Sequence, residues 1–252
     1  MNSLKQRVSK DSPIVLEVKG LKSKVVKDVS FNLRKGEILG FAGLMGAGRT
    51  EAARLIFGAD LKKGGEIFVK GKKVEINSPQ DAVANDIGYL SEDRRRFGLA
   101  VGLPLQENLT MTCLENFTNK GFINFKKEKE VTSEYIKKLD IKTPSIKQLA
   151  KNLSGGNQQK VVVAKWLVKN CDILIFDEPT RGIDVGAKNE IYKLMNDLTK
   201  EGKSIIMISS ELQELLRMSD RILVMCEGAK TAELDIGEAN QEIIMKYATA
   251  NK

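Results

Sequence analysis

Short apolar runs alternate with amphipathic stretches along most of the chain. Ile14 to Val18 alternates apolar and charged residues, the pattern of an edge or half-exposed strand, and Val29 to Leu33 continues it. Arg34-Lys35-Gly36 marks a turn. Glu37-Ile38-Leu39-Gly40-Phe41-Ala42 is apolar without alternation, which predicts a buried strand, and a glycine-rich loop follows at once. Thr50 to Phe57 has helical spacing, with Ala53, Ile56 and Phe57 on one face. Gly64 to Lys72 reads as a hairpin with turns at both glycine clusters, and Ile87 to Leu90 as a short strand. From about Asp93 to Asn152 the strand signals fade, and helical periodicity appears at Val131, Tyr135, Ile136 and Leu139. This predicts a helical insertion. Beyond it, strands and helices alternate again: a helix over Asn157–Val168, a strand over Ile173–Phe176, a helix over Ile191–Leu198 and strands over Ser204–Ser209 and Arg221–Met225. A terminal helix runs from about Asn240 to Ala248. Such strand–helix alternation predicts a mostly parallel sheet covered on both faces. Residues 1–13 are polar, end at Pro13 and read as a linker or tail.

Composition narrows the function classes. A length of 252 residues with 42% hydrophobic content suits one large α/β unit with a substantial core. Lys and Arg total 41 against 33 acidic residues, a formal charge of +8. The densest basic stretch, Lys120 to Lys138, alternates with Glu and apolar residues, so it reads as a solvated helix face before a nucleic-acid patch. An anionic nucleotide and an acidic partner surface are sufficient partners for this balance. The sequence has no histidine, which excludes a histidine general base, a histidine-ligated metal and any Ser/His nucleophile pair. Cys113, Cys171 and Cys226 lie far apart among apolar neighbours without metal or redox spacing, and are expected to be buried reduced thiols of a cytosolic protein. No apolar run approaches the ~18 residues that span a bilayer, and no signal-peptide core is visible at the N-terminus.

Three motifs carry chemistry. Gly43-Leu44-Met45-Gly46-Ala47-Gly48-Arg49-Thr50 has the spacing of a phosphate-binding P-loop between a strand and a helix. Its glycines let the backbone wrap phosphates, and the helix N-terminus adds partial positive charge. Arg49 stands where the pattern has Lys; a planar guanidinium cannot place a compact charge between two phosphates as an ammonium does. Leu153-Ser154-Gly155-Gly156-Asn157-Gln158-Gln159-Lys160 opens a polar helix start, an anion-binding nest of backbone N–H groups. Ile173-Leu174-Ile175-Phe176-Asp177-Glu178-Pro179-Thr180 is an apolar strand ending in two carboxylates. Asp177 is suited to receive Mg2+ together with Thr50, and Glu178 to orient an attacking water.

The order and spacing of these motifs resemble the signature loop and Walker B strand of ATP-binding-cassette (ABC) ATPases. From about Ile14 to the C-terminus, nearly the whole chain is similar to an ABC nucleotide-binding domain. More narrowly, four segments resemble the second, C-terminal cassette of bacterial monosaccharide importers of the ribose, galactose and xylose type. These are Gly43 to Glu51, Gly88-Tyr89-Leu90-Ser91-Glu92-Asp93-Arg94, Leu153 to Lys160, and Pro179 to Lys188. The resemblance implies an α/β P-loop (RecA-like) ABC ATPase core with an antiparallel β subdomain and an inserted α-helical subdomain. Residues 14–252 would form the nucleotide-binding domain, with the helical subdomain at about 93–155. In that family two cassettes are fused, and residues 1–13 fit a start just after the first.

The resemblance also assigns residues. Gly43, Gly46, Ala47, Gly48, Arg49, Thr50 and Glu51 would bind ATP, Thr50 and Asp177 would hold Mg2+, and Asp184 would be the functional position of the D-loop Thr180 to Asp184. Glu92 occupies the place of the Q-loop Gln, and Ser210 that of the switch His. Leu21 to Val26 offers no aromatic residue for adenine. Four losses thus fall in one site while the signature loop is intact. Because such domains pair head to tail, Ser154, Gly155 and Gly156 would act in trans on the partner cassette's ATP, and Glu178 would belong to a poor or non-hydrolysing site. The implied partners are a second cassette, membrane permease subunits received near Glu92-Asp93-Arg94-Arg95-Arg96, a run that reads equally as a solvated charge cluster, and indirectly a periplasmic or extracellular sugar-binding protein. The implied place is the cytoplasmic face of the membrane. A nucleoside importer cassette, a non-transport ABC ATPase acting on nucleic acid or ribosomes, and a pseudo-ATPase scaffold are the alternative readings.

Overall fold

The computed structural model describes residues 8–250. Residues 1–7 of the expected tail lie outside the described residues. The remainder is tied down: Lys10 pairs with Asp235 at 2.6 Å, and the Lys35 N–H donates to the Pro13 carbonyl at 2.8 Å.

Along the chain come β1 (Ile14–Lys22), β2 (Val29–Arg34), β3 (Ile38–Gly43), α1 (Arg49–Ile56), β4 (Gly64–Val69), β5 (Lys72–Val74), α2 (Pro79–Ala84) and β6 (Ile87–Leu90). Next are α3 (Leu105–Thr110), the short strands β7 (Thr118–Asn119) and β8 (Phe122–Ile123), α4 (Phe125–Lys138) and α5 (Gly155–Val168). The chain continues with β9 (Ile173–Asp177), α6 (Val185–Lys200), β10 (Ser204–Ile208) and α7 (Leu212–Met218). It closes with β11 (Arg221–Cys226), β12 (Ala229–Asp235) and α8 (Gln241–Ala248). These elements form two compact units. One comprises the residues up to Tyr89, Asp172–Glu178 and the stretch from Met195 on; the other comprises Leu90–Cys171 and Pro179–Leu194.

The first unit is built on a six-stranded sheet of order β12-β11-β3-β10-β9-β6 and a four-stranded sheet of order β2-β1-β4-β5. Strands β11, β3, β10 and β9 run parallel to one another. Their side chains are buried along almost their whole length, which is why their sequences are apolar without alternation. Ile14–Val18 is a half-exposed strand and not an edge strand. β1 lies between β2 and β4, and its charged alternate positions mark one exposed sheet face instead of a free edge. Gly64 and Gly65 likewise belong to β4, so the β4–β5 hairpin has its single turn at Lys70-Gly71. β12 pairs antiparallel with β11 and carries no strand signal in sequence, because its residues are half-exposed and mostly polar or small. A buried ion pair stitches this unit: Arg221 Nε meets Glu37 at 2.6 Å, with side chains 7% and 2% exposed. Arg221 Nη2 also donates to the Asn32 carbonyl at 2.8 Å.

The second unit is mainly helical. The expected insertion at 93–155 lies within it, but the unit extends further because α5 packs against α3 and α4. Tyr135 of α4 donates its hydroxyl to the Leu167 carbonyl of α5 at 3.1 Å. Gln158 to Leu167 is buried continuously, so this stretch of α5 carries no polar stripe to mark a solvent side. Within it, Lys165 donates to the Gly98 carbonyl at 2.6 Å, and burial brings its pKa down to about 8.

Candidate functional site

In the first unit, β3 delivers the chain into the loop Gly43 to Gly48. Gly46 and Gly48 take φ of +77° and +94°, which a side chain resists. Gly48 is the N-cap of α1 and offers no side-chain cap, so the first amides of the helix remain available to an anion. Arg49 follows and is 9% exposed; its Nη1 donates to the Ser209 carbonyl at 2.7 Å. Burial lowers its pKa, opposed by the charges of Glu178, Asp177 and Glu51. The cation at the lysine position is therefore engaged by the backbone just beyond β10.

Asp177 ends β9 and is fully buried. Its carboxylate accepts the Thr50 hydroxyl at 3.1 Å and the Tyr89 hydroxyl at 2.7 Å. Burial raises its pKa, while those two hydrogen bonds and Arg49 pull it down. Tyr89 lies in the Gly88 to Arg94 segment but is given no role there; in sequence it is the one hydroxyl of the apolar strand Ile87 to Leu90. Burial, and then the charge of Asp177, raise the Tyr89 pKa, so it remains a donor. Glu178 adopts a left-handed φ of +48°, a conformation that costs a non-glycine residue on the order of 1 kcal/mol. Its carboxylate accepts the Ser210 hydroxyl at 3.1 Å, and burial raises its pKa.

The Leu21 to Val26 segment reaches the same loop through Gly228, a residue without a motif of its own. Gly228, in the β11–β12 turn, donates its N–H to the Ala47 carbonyl at 3.0 Å and accepts the Lys27 N–H at 2.6 Å. It has φ of +84°, and a Cβ there would lie 1.8 Å from the Val25 carbonyl oxygen. Only glycine lets the two backbones meet. Val25, 44% exposed, is thereby an apolar side chain at this junction. Thr50 Oγ1 and Asp177 Oδ1 are two hard oxygens 3.1 Å apart, a donor set suited to Mg2+, which uses few protein ligands beside phosphates and water.

In the second unit, Ser154 is the N-cap of the 14-residue helix α5, and its Oγ accepts the Asn157 side-chain amide at 3.0 Å. Gly155 and Gly156 fill the first turn, where amides have no intrahelical acceptor. A Cβ on Gly156 would lie 2.9 Å from the Ala187 Cβ of α6. Asp184 caps α6, accepting the Ala187 N–H at 2.9 Å. Glu92 pairs with Arg181. Thus Gly43 to Glu51, Asp177, Glu178 and Ser210 share the first unit, while Glu92, Ser154 to Gly156 and Asp184 share the second.

The comparisons with known proteins agree on one family. The family model described as ABC transporter matches residues 26–181. The putative ribose/galactose/methyl galactoside import ATP-binding protein 3 of Burkholderia ambifaria is 59% identical over 238 residues, covering 94% of this chain and 46% of that protein. The ribose import ATP-binding protein RbsA of Clostridium perfringens is 56% identical over 241 residues, covering 95% and 48%. The chain therefore spans about half the length of these curated relatives. Among solved structures, a dimeric ATP-binding cassette in a post-hydrolysis state with ADP and Pi superposes with a TM-score of 0.74. It is 22% identical, over 88% of this chain and 98% of that one, which shows the shared fold. With its P-loop between β3 and α1, its Asp-Glu at the end of β9 and its serine-capped double glycine at α5, this chain belongs to the ABC transporter family, with the P-loop ABC ATPase fold.

Proposed function

We propose that this chain is an ATP-binding cassette of a carbohydrate importer, working at the cytoplasmic face of a membrane with permease subunits and a sugar-binding protein. Its relatives named for ribose and galactose import support the substrate class. Among the described residues no helix is long and apolar enough to cross a membrane. In this reading the chain pairs with a second cassette, as the structural neighbour crystallised as a dimer does. It supplies Ser154, Gly155 and Gly156 to the ATP bound on that cassette.

The observation that carries this division of labour is Arg49. Its guanidinium is buried and bonded to the Ser209 carbonyl, so releasing it to phosphates breaks a charge-assisted hydrogen bond. Ser210, with no titratable ring, holds Glu178 by one hydroxyl bond. Gly43, Gly46, Ala47, Gly48 and Glu51 with Thr50 frame the nucleotide's phosphates, and Thr50 and Asp177 hold Mg2+ beside them. Bound Mg2+ supplies charge neutralisation between the phosphates. Tyr89 orients Asp177 toward Thr50. Glu178 then faces a phosphate site lacking a lysine, so this site binds nucleotide and turns over weakly. The amides of Gly155 and Gly156, in contrast, present a preorganised positive end to a phosphate, where electrostatic stabilisation has most effect.

The test compares two variants in the reconstituted importer at matched expression, with labelled ribose and galactose as cargo. Ser154→Arg should abolish ATP hydrolysis and transport, because it puts bulk and charge at the helix start. Arg49→Ala should be milder. Equal damage from both would overturn the asymmetric reading.

A further inference from the structure

Three segments of the second unit converge on one side chain, Arg94. Its Nη1 donates to the Arg181 carbonyl at 3.0 Å. Its Nη2 occupies the space beside Gly155, 2.7 Å from where a Cβ would stand. Arg181, whose carbonyl takes that bond, pairs through its own guanidinium with Glu92, two residues before Arg94. A short ring of contacts therefore runs Glu92, Arg181, Arg94 and back along the chain, with the first residue of α5 against it. Ile183 Cγ2 and the Gly182 carbonyl also crowd this spot, 3.2 and 3.3 Å from the same Cβ position.

Burial of the Arg94 guanidinium carries a desolvation cost, which lowers its pKa. Among the described residues, its Nε is buried without a hydrogen-bond partner. A cation held so is not needed to cap α5, since Ser154 already does that. What it does achieve is a fixed distance between the Glu92–Arg94 stretch, the loop after Glu178 and the double glycine. A glycine at 155 is what lets the guanidinium come so close.

We propose that Arg94 is a positioning residue, and that the Glu92–Arg181–Arg94 ring fixes the orientation of the Ser154-Gly155-Gly156 turn. This rests on the reading that the turn serves ATP bound on a partner cassette. Displacing Glu92 frees Arg181, loosens its carbonyl from Arg94 and releases the helix start, so the turn's two amides lose their aim. Arg94 itself touches no nucleotide in this scheme.

The experiment uses the assembled importer and steady-state ATPase kinetics, with circular dichroism and melting of each variant to confirm folding. Arg94→Ala should lower kcat about tenfold, the worth of one hydrogen bond to a charged group, with KM for ATP within about twofold. Arg94→Lys keeps one donor for the Arg181 carbonyl and should recover part of the loss. Glu92→Arg and Arg181→Glu should each impair turnover, and the exchanged pair Glu92→Arg with Arg181→Glu should restore most of it. A role confined to overall stability predicts instead that these changes lower the melting temperature while kcat of the folded variants stays unchanged. In the chain alone, Arg94→Ala should speed hydrogen exchange at the Asn157 and Gln158 amides while those of Leu109 and Thr110 stay unchanged. The proposal is overturned if Arg94→Ala leaves kcat within twofold of the parent, or if the exchanged pair is as damaged as either single change. Ser154→Arg separates the two levels. If it abolishes ATPase while Arg94→Ala does not, only the positioning role fails. If it has no effect, the trans reading fails and the positioning role with it.

Discussion

Replacing Asp177 by Asn should make the protein more stable and less able to bind Mg2+-nucleotide. Asp177 is fully buried at the end of β9, and its carboxyl pKa is raised above the ordinary 3.8 by that burial. For a carboxyl group raised in the folded state, the folded protein binds the proton more tightly than the unfolded chain. The favourable contribution is present below 3.8 and is lost as pH rises through the folded-state value, so at neutral pH the ionised group weakens the fold. Asparagine removes that charge at little cost in hydrogen bonding. Its Oδ1 still accepts from the Tyr89 hydroxyl, and its Nδ2 donates to Thr50 Oγ1, reversing the present bond over the same 3.1 Å. Arg49 already offsets part of the penalty, so the gain is expected at about 1–2 kcal/mol, a size that single stabilising changes commonly reach. For a chain of this size that is about 2–8 °C in Tm. Differential scanning calorimetry at pH 7.5 with EDTA and no nucleotide measures it, and the gain should shrink in a parallel run at pH 5. Calorimetric titration with Mg-ATP should show binding weakened at least tenfold. A melting point lowered by Asp177→Asn, or a gain that grows toward acid pH, would refute the reasoning.

Three further outcomes are expected. The chain alone should hydrolyse ATP far below ~1 per second, the lower end for phosphoryl-transfer enzymes, with Glu178→Gln as the control for contaminating ATPase; turnover above that rate would contradict a weak site. ATP and GTP should bind with affinities within about fivefold of each other, because the Leu21 to Val26 segment, expected to meet the base, presents an exposed aliphatic Val25 and no aromatic ring; isothermal titration of both nucleotides decides it, and a large ATP preference would reveal an adenine contact elsewhere. Arg221→Ala should destabilise the protein by about 3 kcal/mol, since it takes the nearer cation from the buried Glu37 carboxylate and leaves it only Arg34 at 3.9 Å, and urea unfolding should show the loss at pH 7. Arg221→Met with Glu37→Leu, which removes both charges, should be milder in the same assay.

The sequence by itself determined which strands lie at the centre of the large sheet and where the candidate site motifs fall along the chain. Continuous apolar runs at Ile38, Ile173, Ser204 and Arg221 need burial on both faces, and only a covered parallel sheet provides that. Glycine spacing before α1 and the Asp-Glu at the end of β9 were readable because such chemistry constrains residue type locally. So was the terminal helix, whose cap Asn240 accepts the Ile243 N–H at 2.8 Å. Tertiary structure decided what local pattern does not encode. The place of β1 inside its sheet, the pairing of polar β12 with β11 and the membership of α5 in the helical unit depend on partners far along the chain. So do the Tyr89 bond to Asp177, the turn of Arg49 onto Ser209, the Gly228 bridge to Ala47 and the seat of Arg94 beside Gly155. Each joins residues separated by tens to more than a hundred positions, through contacts of a few ångströms. Sequence periodicity reports the environment of a residue but not which distant group fills it, and hydrogen bonds and close packing require that group at a particular distance and angle.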